Sequence, residues 1–324
     1  MCACSLDTDA SMKCWHGSWQ EAFTRLRSIL TPVRKLEFWQ AELIGQARTL
    51  EIKGTVLLAE EGINGTLVGE RENLKLFAAA LVGHEVFSDV EFKYSTAAAD
   101  NPVFYRLKVR IKPEIVSFAQ LLGASHDRGV PVDAECWNEL LQDPDVVVID
   151  TRNCYEVAIG SFPGAVDPDT RSFREFPAYV LTCLDPAKHK KVALYCTGGI
   201  RCEKASAYML ENDFEQVFQL QGGILKYLET VSPEQNRWQG ECFIFDQRVS
   251  VNNELNEGSY QQCFACRRAL SEQDLDSPHF RQGVCCPKCI DEHDDVRRAG
   301  FKERQRQVQL AAARGTMHVG QPQE

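Results

Sequence analysis

Cys196 closes a short apolar run, Val192 to Tyr195, and is followed by Thr197, Gly198, Gly199, Ile200 and Arg201. An unbroken apolar run of this length predicts a buried strand. The double glycine predicts a tight turn, and Glu203 to Glu211 is rich in helix formers. A thiol in a loop between a strand end and a helix start meets several inward backbone N–H groups and the positive end of the helix dipole. With Arg201 beside it, such a thiol ionises below its ordinary range and the loop can cradle an anion. Cys196 and Arg201 are therefore the candidate catalytic residues, and Thr197, Gly198, Gly199 and Ile200 form the loop that shapes the site. Cys202 begins the helix. It fits a resolving thiol for an oxidised Cys196, and equally a half-buried cysteine that packs the helix.

Two further cysteine pairs, Cys263-Phe-Ala-Cys266 and Cys286-Pro-Lys-Cys289, are separated by nineteen residues. Each pair can grip a metal from one tight turn, and the spacing suits a tetrahedral Cys4 zinc site without an open position, structural rather than catalytic. His293, Asp294, Asp295 and His318 have the letters of an iron-binding facial triad, but they fall in an acidic, helical tail and are read as coincidence. No Gly-x-Gly-x-x-Gly fingerprint occurs, so no nicotinamide or flavin motif is found.

A third pattern is cationic. In Arg106-Leu-Lys108-Val-Arg110-Ile-Lys112 a period of two puts four cations on one strand face and Leu107, Val109 and Ile111 on the other. Such a stripe suits phosphates, although the same alternation describes a solvated outer face. Arg152 and Arg174 are further candidates for contact with a substrate or RNA.

The elements that must position these residues fall into several units. Residues 1–21, with Cys2, Cys4, Cys14 and His16, read as a mobile tail. Residues 22–115 predict β-α-β-β-α-β: a strand around Phe23 and Leu26, a helix from Leu36, strands at Gly54 to Ala59 and Thr66 to Val68 around a turn at Glu60 to Gly65, a helix from Arg71 to Val82, and a last strand from Phe104 to Ile111. That order predicts a ferredoxin-like (acylphosphatase-like) α+β domain. Ile115 to Val132 reads as a linker. Residues 133–237 alternate strands and helices, which predicts a parallel α/β sheet with its site beyond the carboxyl ends of the strands, where both Asp150 and Cys196 fall. Residues 238–300 form a Cys-rich zinc-binding region, and 301–324 a basic, disordered tail. Arg297, Arg298, Lys302, Arg304 and Arg306 approach RNA or decorate a solvated helix.

Asp150-Thr-Arg152 with Glu156, Phe162-Pro-Gly-Ala165, Tyr195-Cys196-Thr-Gly-Gly-Ile-Arg201 and Leu220-Gln-Gly-Gly-Ile224 together resemble a rhodanese domain. In that family the loop cysteine accepts sulfur as a persulfide, and Cys196 maps onto it. Four residues separate Cys196 from Arg201, one fewer than in the related dual-specificity phosphatases, which favours a sulfurtransferase-sized loop. Thr55-Val-Leu-Leu-Ala-Glu-Glu-Gly-Ile-Asn-Gly-Thr66, Leu107-Lys-Val-Arg-Ile-Lys-Pro-Glu-Ile-Val116, Ser172-Phe-Arg-Glu-Phe176 and Cys196-Thr-Gly-Gly-Ile-Arg-Cys-Glu-Lys204 resemble one rhodanese subfamily, the bacterial tRNA uridine(34) hydroxylases. That resemblance runs from about Phe23 to Cys289. It implies conversion of the wobble uridine to 5-hydroxyuridine with molecular oxygen as co-substrate, the tRNA anticodon arm as partner, and Cys196 as the essential residue. The middle domain alone implies a thiosulfate or persulfide sulfurtransferase instead.

Composition sets outer bounds. The 324 residues carry 36 Lys and Arg against 46 Asp and Glu, a formal net charge of −10, which argues against polyanion binding by the whole surface and leaves room for a local basic patch. Fourteen cysteines without a signal-peptide pattern or a long apolar span predict a reducing, cytoplasmic setting, no membrane partner, and thiols used for catalysis or metal.

Overall fold

The computed structural model describes residues 23–27, 33–88, 90–95, 104, 106–118, 128–246 and 248–315. The predicted tail over residues 1–21 lies outside them, as does His318.

The first domain runs β1 (Phe23–Arg27), α1 (Leu36–Thr49), β2 (Lys53–Ala59), β3 (Gly62–Val68), α2 (Arg71–Val82), β4 (Glu91–Ser95) and β5 (Leu107–Ile111). Its five strands lie in the order β4-β1-β3-β2-β5. The first four pair antiparallel, as a ferredoxin-like sheet requires, and β5 adds on the outer edge parallel to β2. This corrects the sequence reading. The last ferredoxin strand is Glu91–Ser95, and the strand expected over residues 104–111 is an extra edge strand. The turn expected over residues 60–65 is also shorter, because β3 already starts at Gly62.

The period of two assigns the two sheet faces. Val56 and Leu58 of β2, Ile63 and Leu67 of β3 and Val109 of β5 pack with Leu43, Leu74, Phe77 and Leu81 in one core beneath α1 and α2. Thr55, Leu57, Asn64 and Thr66 take the opposite face, which neither α1 nor α2 covers. Lys108 is in register with Thr55, and Arg110 with Leu57, so both cations share that face.

The middle domain contains β6 (Val130–Val132), α3 (Ala134–Leu140), β7 (Val146–Asp150), α4 (Cys154–Val157), β8 (Gly160–Ser161), α5 (Phe176–Cys183), β9 (Lys191–Tyr195), α6 (Ile200–Glu211), β10 (Gln216–Leu220) and α7 (Gly223–Thr230). The parallel sheet has the order β6-β10-β9-β7, so the strand bearing the loop cysteine is central. Two cores flank it: Ile149, Phe176, Val192, Leu194 and Met209 on one side, Trp137, Phe162, Tyr195, Tyr227 and Trp238 on the other. The linker is partly structured. Val130–Val132 is the sheet's edge strand, and Phe118 is fully buried against Phe173 and Tyr208.

The carboxyl-terminal region holds three short antiparallel pairings. β11 (Gln239–Gly240) joins β8, β12 (Cys242–Phe243) joins β13 (Ser250–Val251), and β14 (Gln261–Gln262) joins β15 (Ala269–Leu270). Two helices follow, α8 (Glu272–Leu275) and α9 (Asp295–Ala313). The boundary drawn at residue 301 therefore cuts a continuous helix: residues 301–313 are ordered turns of α9, with Asp294 as its N-cap. No helix among the described residues is long and apolar enough to cross a membrane.

Candidate active site

Cys196 is 1% exposed at the end of β9. Its Sγ accepts the Gly199 N–H at 3.0 Å, and the Gly198 and Arg201 N–H groups also stabilise the sulfur. The turn depends on Gly199, whose φ of 92° lies in the left-handed region and caps α6. Gly223 has a different task. A Cβ there would lie 2.3 Å from the Cys196 carbonyl oxygen, so only glycine lets the start of α7 close on the loop. That approach lets Ile224 N–H donate to the Cys196 carbonyl at 2.9 Å and Leu225 N–H to that of Thr197 at 3.2 Å.

Burial alone would push the Cys196 thiol up. A hydrogen bond from the Cys202 thiol, the Arg201 charge and the Arg201 and Gly198 N–H groups outweigh it and hold the thiol well below its ordinary range. Cys202 is moved the other way, by burial and then by its bond to the Cys196 sulfur and that sulfur's charge. Thr151 Oγ1 sits 3.7 Å from Cys202 Sγ and donates to the Tyr195 carbonyl at 2.9 Å. The loop environment thus favours the ionised form of Cys196 and the protonated form of Cys202.

Arg201 does not present a free charge. Its Nη1 and Nη2 donate to Glu156 Oε1 and Oε2 at 2.7 and 2.8 Å, a bidentate pair with Glu156 fully buried. Burial opposes the carboxylate, but Arg201's charge and bonds, then Arg152 and the Asn153 N–H, hold Glu156 below its ordinary value. Glu156 thereby fixes the Arg201 end of the loop. Arg152, expected to contact substrate, is instead fully buried. It donates to both Asp150 oxygens and to the Glu156 and Gly160 carbonyls, so its role is structural ion pairing inside the domain. Arg174 is exposed and does not line the cleft described next.

Above the loop lies a cleft of 410 Å³ between the two domains. Its floor is Thr197, Gly198, Ile200 and Arg201, and its facing wall is the face of the first sheet opposite α1 and α2, including Thr55, Leu57, Asn64 and Thr66. Lys204, on α6 three residues beyond Arg201, fixes this arrangement. Its side chain is 5% exposed and its Nζ reaches Glu61 at 2.8 Å, Glu114 at 3.5 Å and the Val116 carbonyl at 2.7 Å. Glu61 also accepts the Ile115 N–H at 2.6 Å. The Glu-Glu-Gly-Ile-Asn-Gly and Cys-Thr-Gly-Gly-Ile-Arg-Cys-Glu-Lys segments, far apart in sequence, are therefore joined by a half-buried ion pair. Phe245, from beyond the middle domain, completes the cleft. Sequence reading missed it, because one aromatic after a short strand carries no local signal.

Residues 29–115 match the UPF0176 acylphosphatase-like domain family and residues 133–230 the rhodanese-like domain family. The chain couples a UPF0176 acylphosphatase-like domain to a rhodanese-like domain. Similar solved structures include the rhodanese-like domain of an Anabaena protein, at 19% identity over 34% of this chain and 78% of that one, with a TM-score of 0.29. A Rhodopseudomonas palustris protein of unknown function, described as a possible tyrosine phosphatase, shares 21% identity over 32% and 83% of the two chains, with a TM-score of 0.28. A rhodanese-like domain protein from Staphylococcus aureus shares 21% over 30% and 90%, with a TM-score of 0.26.

Cys263, Cys266, Cys286 and Cys289 converge, with all four sulfurs within 4.8 Å of one another. The Cys263–Cys289, Cys266–Cys286 and Cys286–Cys289 separations are 4.0, 3.8 and 3.6 Å. Zn–S bonds of about 2.3 Å in a tetrahedron give S···S edges of about 3.8 Å, so the cluster fits a zinc ion without rearrangement. Phe301 of α9 and Leu270 pack against it.

Proposed function

We propose that this protein is an enzyme that hydroxylates the wobble uridine, position 34, of tRNA to 5-hydroxyuridine with molecular oxygen, at Cys196 of the rhodanese-like domain. The observation that carries this reading is the cleft. The loop thiolate lies beneath a chamber walled by a second domain, and that domain's facing sheet bears Lys108 and Arg110 in register with the chamber's own residues. A sulfur carrier for small anions has no need of such a wall. Arg201 is neutralised by Glu156, so the floor adds no net charge to attract a dianion such as thiosulfate.

The balance is uridine plus O2 plus two electrons and two protons, giving 5-hydroxyuridine and water. One oxygen atom replaces hydrogen on C5 and the other leaves as water. The Cys196 thiolate and Cys202 thiol supply two electrons and one proton on forming a disulfide, solvent supplies the second proton, and an external thiol then reduces the disulfide. Zinc at the four-cysteine cluster holds the carboxyl-terminal unit together and takes no part in these steps.

The alternative, a thiosulfate or persulfide sulfurtransferase, is favoured by one feature: a depressed thiolate held by loop N–H groups is a good sulfur acceptor. Nucleoside profiles of tRNA from cells with and without the gene test the choice. Loss of 5-hydroxyuridine, unrestored by a Cys196→Ser copy, is the expected result. An unchanged profile with retained thiosulfate:cyanide activity would establish the sulfurtransferase.

A further inference from the structure

We infer that the interdomain cleft seats a single extruded pyrimidine ring stacked on Phe245, with the flanking phosphates of a single-stranded RNA on the Lys108 and Arg110 side of the facing sheet. The inference rests on the tRNA reading above and adds to it a base site and its residues.

Size and wall chemistry come first. At 410 Å³ the cleft falls within the span of small-ligand sites, about 300–1,000 Å³. It admits one base but not a duplex, so the base must leave its stack to reach the loop. Leu57, Phe104, Ile115, Val116, Ile200 and Phe245 supply apolar surface, and Thr55, Asn64, Thr66 and Thr197 supply uncharged polar groups. The charged lining residue, Arg201, is held by Glu156 through both terminal nitrogens. A mostly apolar chamber with no unpaired positive charge, above an ionised sulfur, favours an uncharged flat ring over a free anion, because an anion would be stripped of water there without a counter-charge.

Phe245 gives that ring a surface. It is 57% exposed although it borders an apolar cleft. Phe243 holds it edge-on, with centroids 5.3 Å apart at 73°, and the Arg201 guanidinium lies 5.9 Å from its centroid. Exposed aromatic rings of this kind are what single-stranded RNA bases stack on. Asn64 adds recognition. Its Nδ2 donates to the Ile115 carbonyl at 3.5 Å, and its amide carries both a donor and an acceptor, the pair that a uracil imide edge matches.

The phosphates need cations nearby but outside the chamber. Lys108 and Arg110 meet this need, one strand over, at about 4.8 Å spacing from the cleft-lining residues of β2. Burial and then the charges of Arg106, Arg110 and Arg267 lower the Lys108 ammonium. No acid balances it among the described residues, and Arg267 comes from the four-cysteine unit. Lys108 and Arg110 on one strand face, with Arg267 near enough for its charge to act on Lys108, suit a phosphodiester backbone.

The test uses the full chain and an anticodon stem-loop RNA with 4-thiouridine at position 34. Photo-crosslinking followed by peptide mapping is expected to place the label on Phe245 or on the cleft wall around Leu57 and Phe104. Phe245→Ala should lower kcat/KM for tRNA by about ten- to hundredfold, the usual cost of one lost stacking contact, while Phe245→Tyr retains most of it. Combined Lys108→Ala and Arg110→Ala should weaken RNA binding and flatten its salt dependence whatever base stands at position 34. Labelling on α9 or elsewhere outside the cleft, or wild-type rates for Phe245→Ala, overturns the base site and leaves the hydroxylase reading standing. A cleft-borne label from an enzyme that makes no 5-hydroxyuridine does the reverse.

Discussion

At Cys196 one sulfur is surrounded by hydrogen-bond donors; at the knuckle four sulfurs face one another. The first sulfur gains its charge from its surroundings, chiefly the Cys202 thiol, Arg201 and the loop N–H groups, and nothing is missing when it ionises. In the second cluster the thiols act on each other. Cys263 is pulled down to about 5 by hydrogen bonding from Cys266, while burial and the Cys263 charge push Cys286 up to about 12. Four thiolates within 4.8 Å cannot coexist without a cation among them. Similar residue types thus yield a thiol whose charge is stabilised by its own loop in one place and a cluster able to bind a metal in the other. The difference lies in whether the counter-charge belongs to the chain.

Removing that borrowed counter-charge should have the largest effect. Structural zinc sites contribute on the order of 10 kcal/mol to folding, so a strong chelator, or Cys286→Ser, is expected to unfold the unit around residues 263–289. Limited proteolysis and zinc analysis, at one ion per chain, would read this out. Cys196→Ser should leave zinc content and thermal stability unchanged. If chelation leaves the proteolytic pattern intact, the contrast between the two sites collapses.

A smaller effect is expected where the counter-charge is internal. Glu156→Gln leaves Arg201 buried with half its pairing lost, at a cost of about 3–5 kcal/mol, measurable by urea unfolding. Its pH dependence has a definite sign. The folded Glu156 carboxyl lies below its ordinary 4.5, so its contribution is complete above that value and fades as the pH falls through the depressed one. The variant should lack that part of the acid limb; an unchanged limb would show that the pair contributes nothing.

The subtlest change is Cys202→Ala. It removes the hydrogen bond that does most to offset burial at Cys196, so the Cys196 thiol should rise toward its ordinary value. The pH profile of iodoacetamide alkylation at Cys196 would then shift upward, with the fold intact. An unmoved profile would assign thiolate stabilisation to Arg201 and the loop amides alone.

Local patterns made much of this legible. The apolar run, double glycine and arginine around Cys196 announce a strand, turn and helix start, and α6 begins at Ile200 as that order requires. The two Cys-x-x-Cys turns announce a metal cluster. What escaped were facts settled by partners distant in the chain. Arg152 has the sequence of a surface cation, and only the shape of Asp150 and two carbonyls around it makes it a core residue. Glu91–Ser95 is a five-residue segment whose strand identity comes from pairing with β1, whereas the more regular alternation at Leu107–Ile111 attracted the assignment. The cleft had no signal at all, since its walls come from four separate stretches of chain, around residues 55–66, 104–116, 197–201 and 245.

Lys204 carries a consequence for anyone who cuts the chain into pieces. Its ammonium lies on the same helix as Arg201, and both carboxylates that balance it, Glu61 and Glu114, belong to the other side of the domain boundary. A fragment beginning near residue 128 would keep the cysteine loop but leave a lysine stranded without these carboxylates, one helical turn beyond Arg201. The severed middle domain is therefore a different electrostatic object from the one in the intact protein, and its sulfur chemistry in isolation is a poor guide to what the whole chain does.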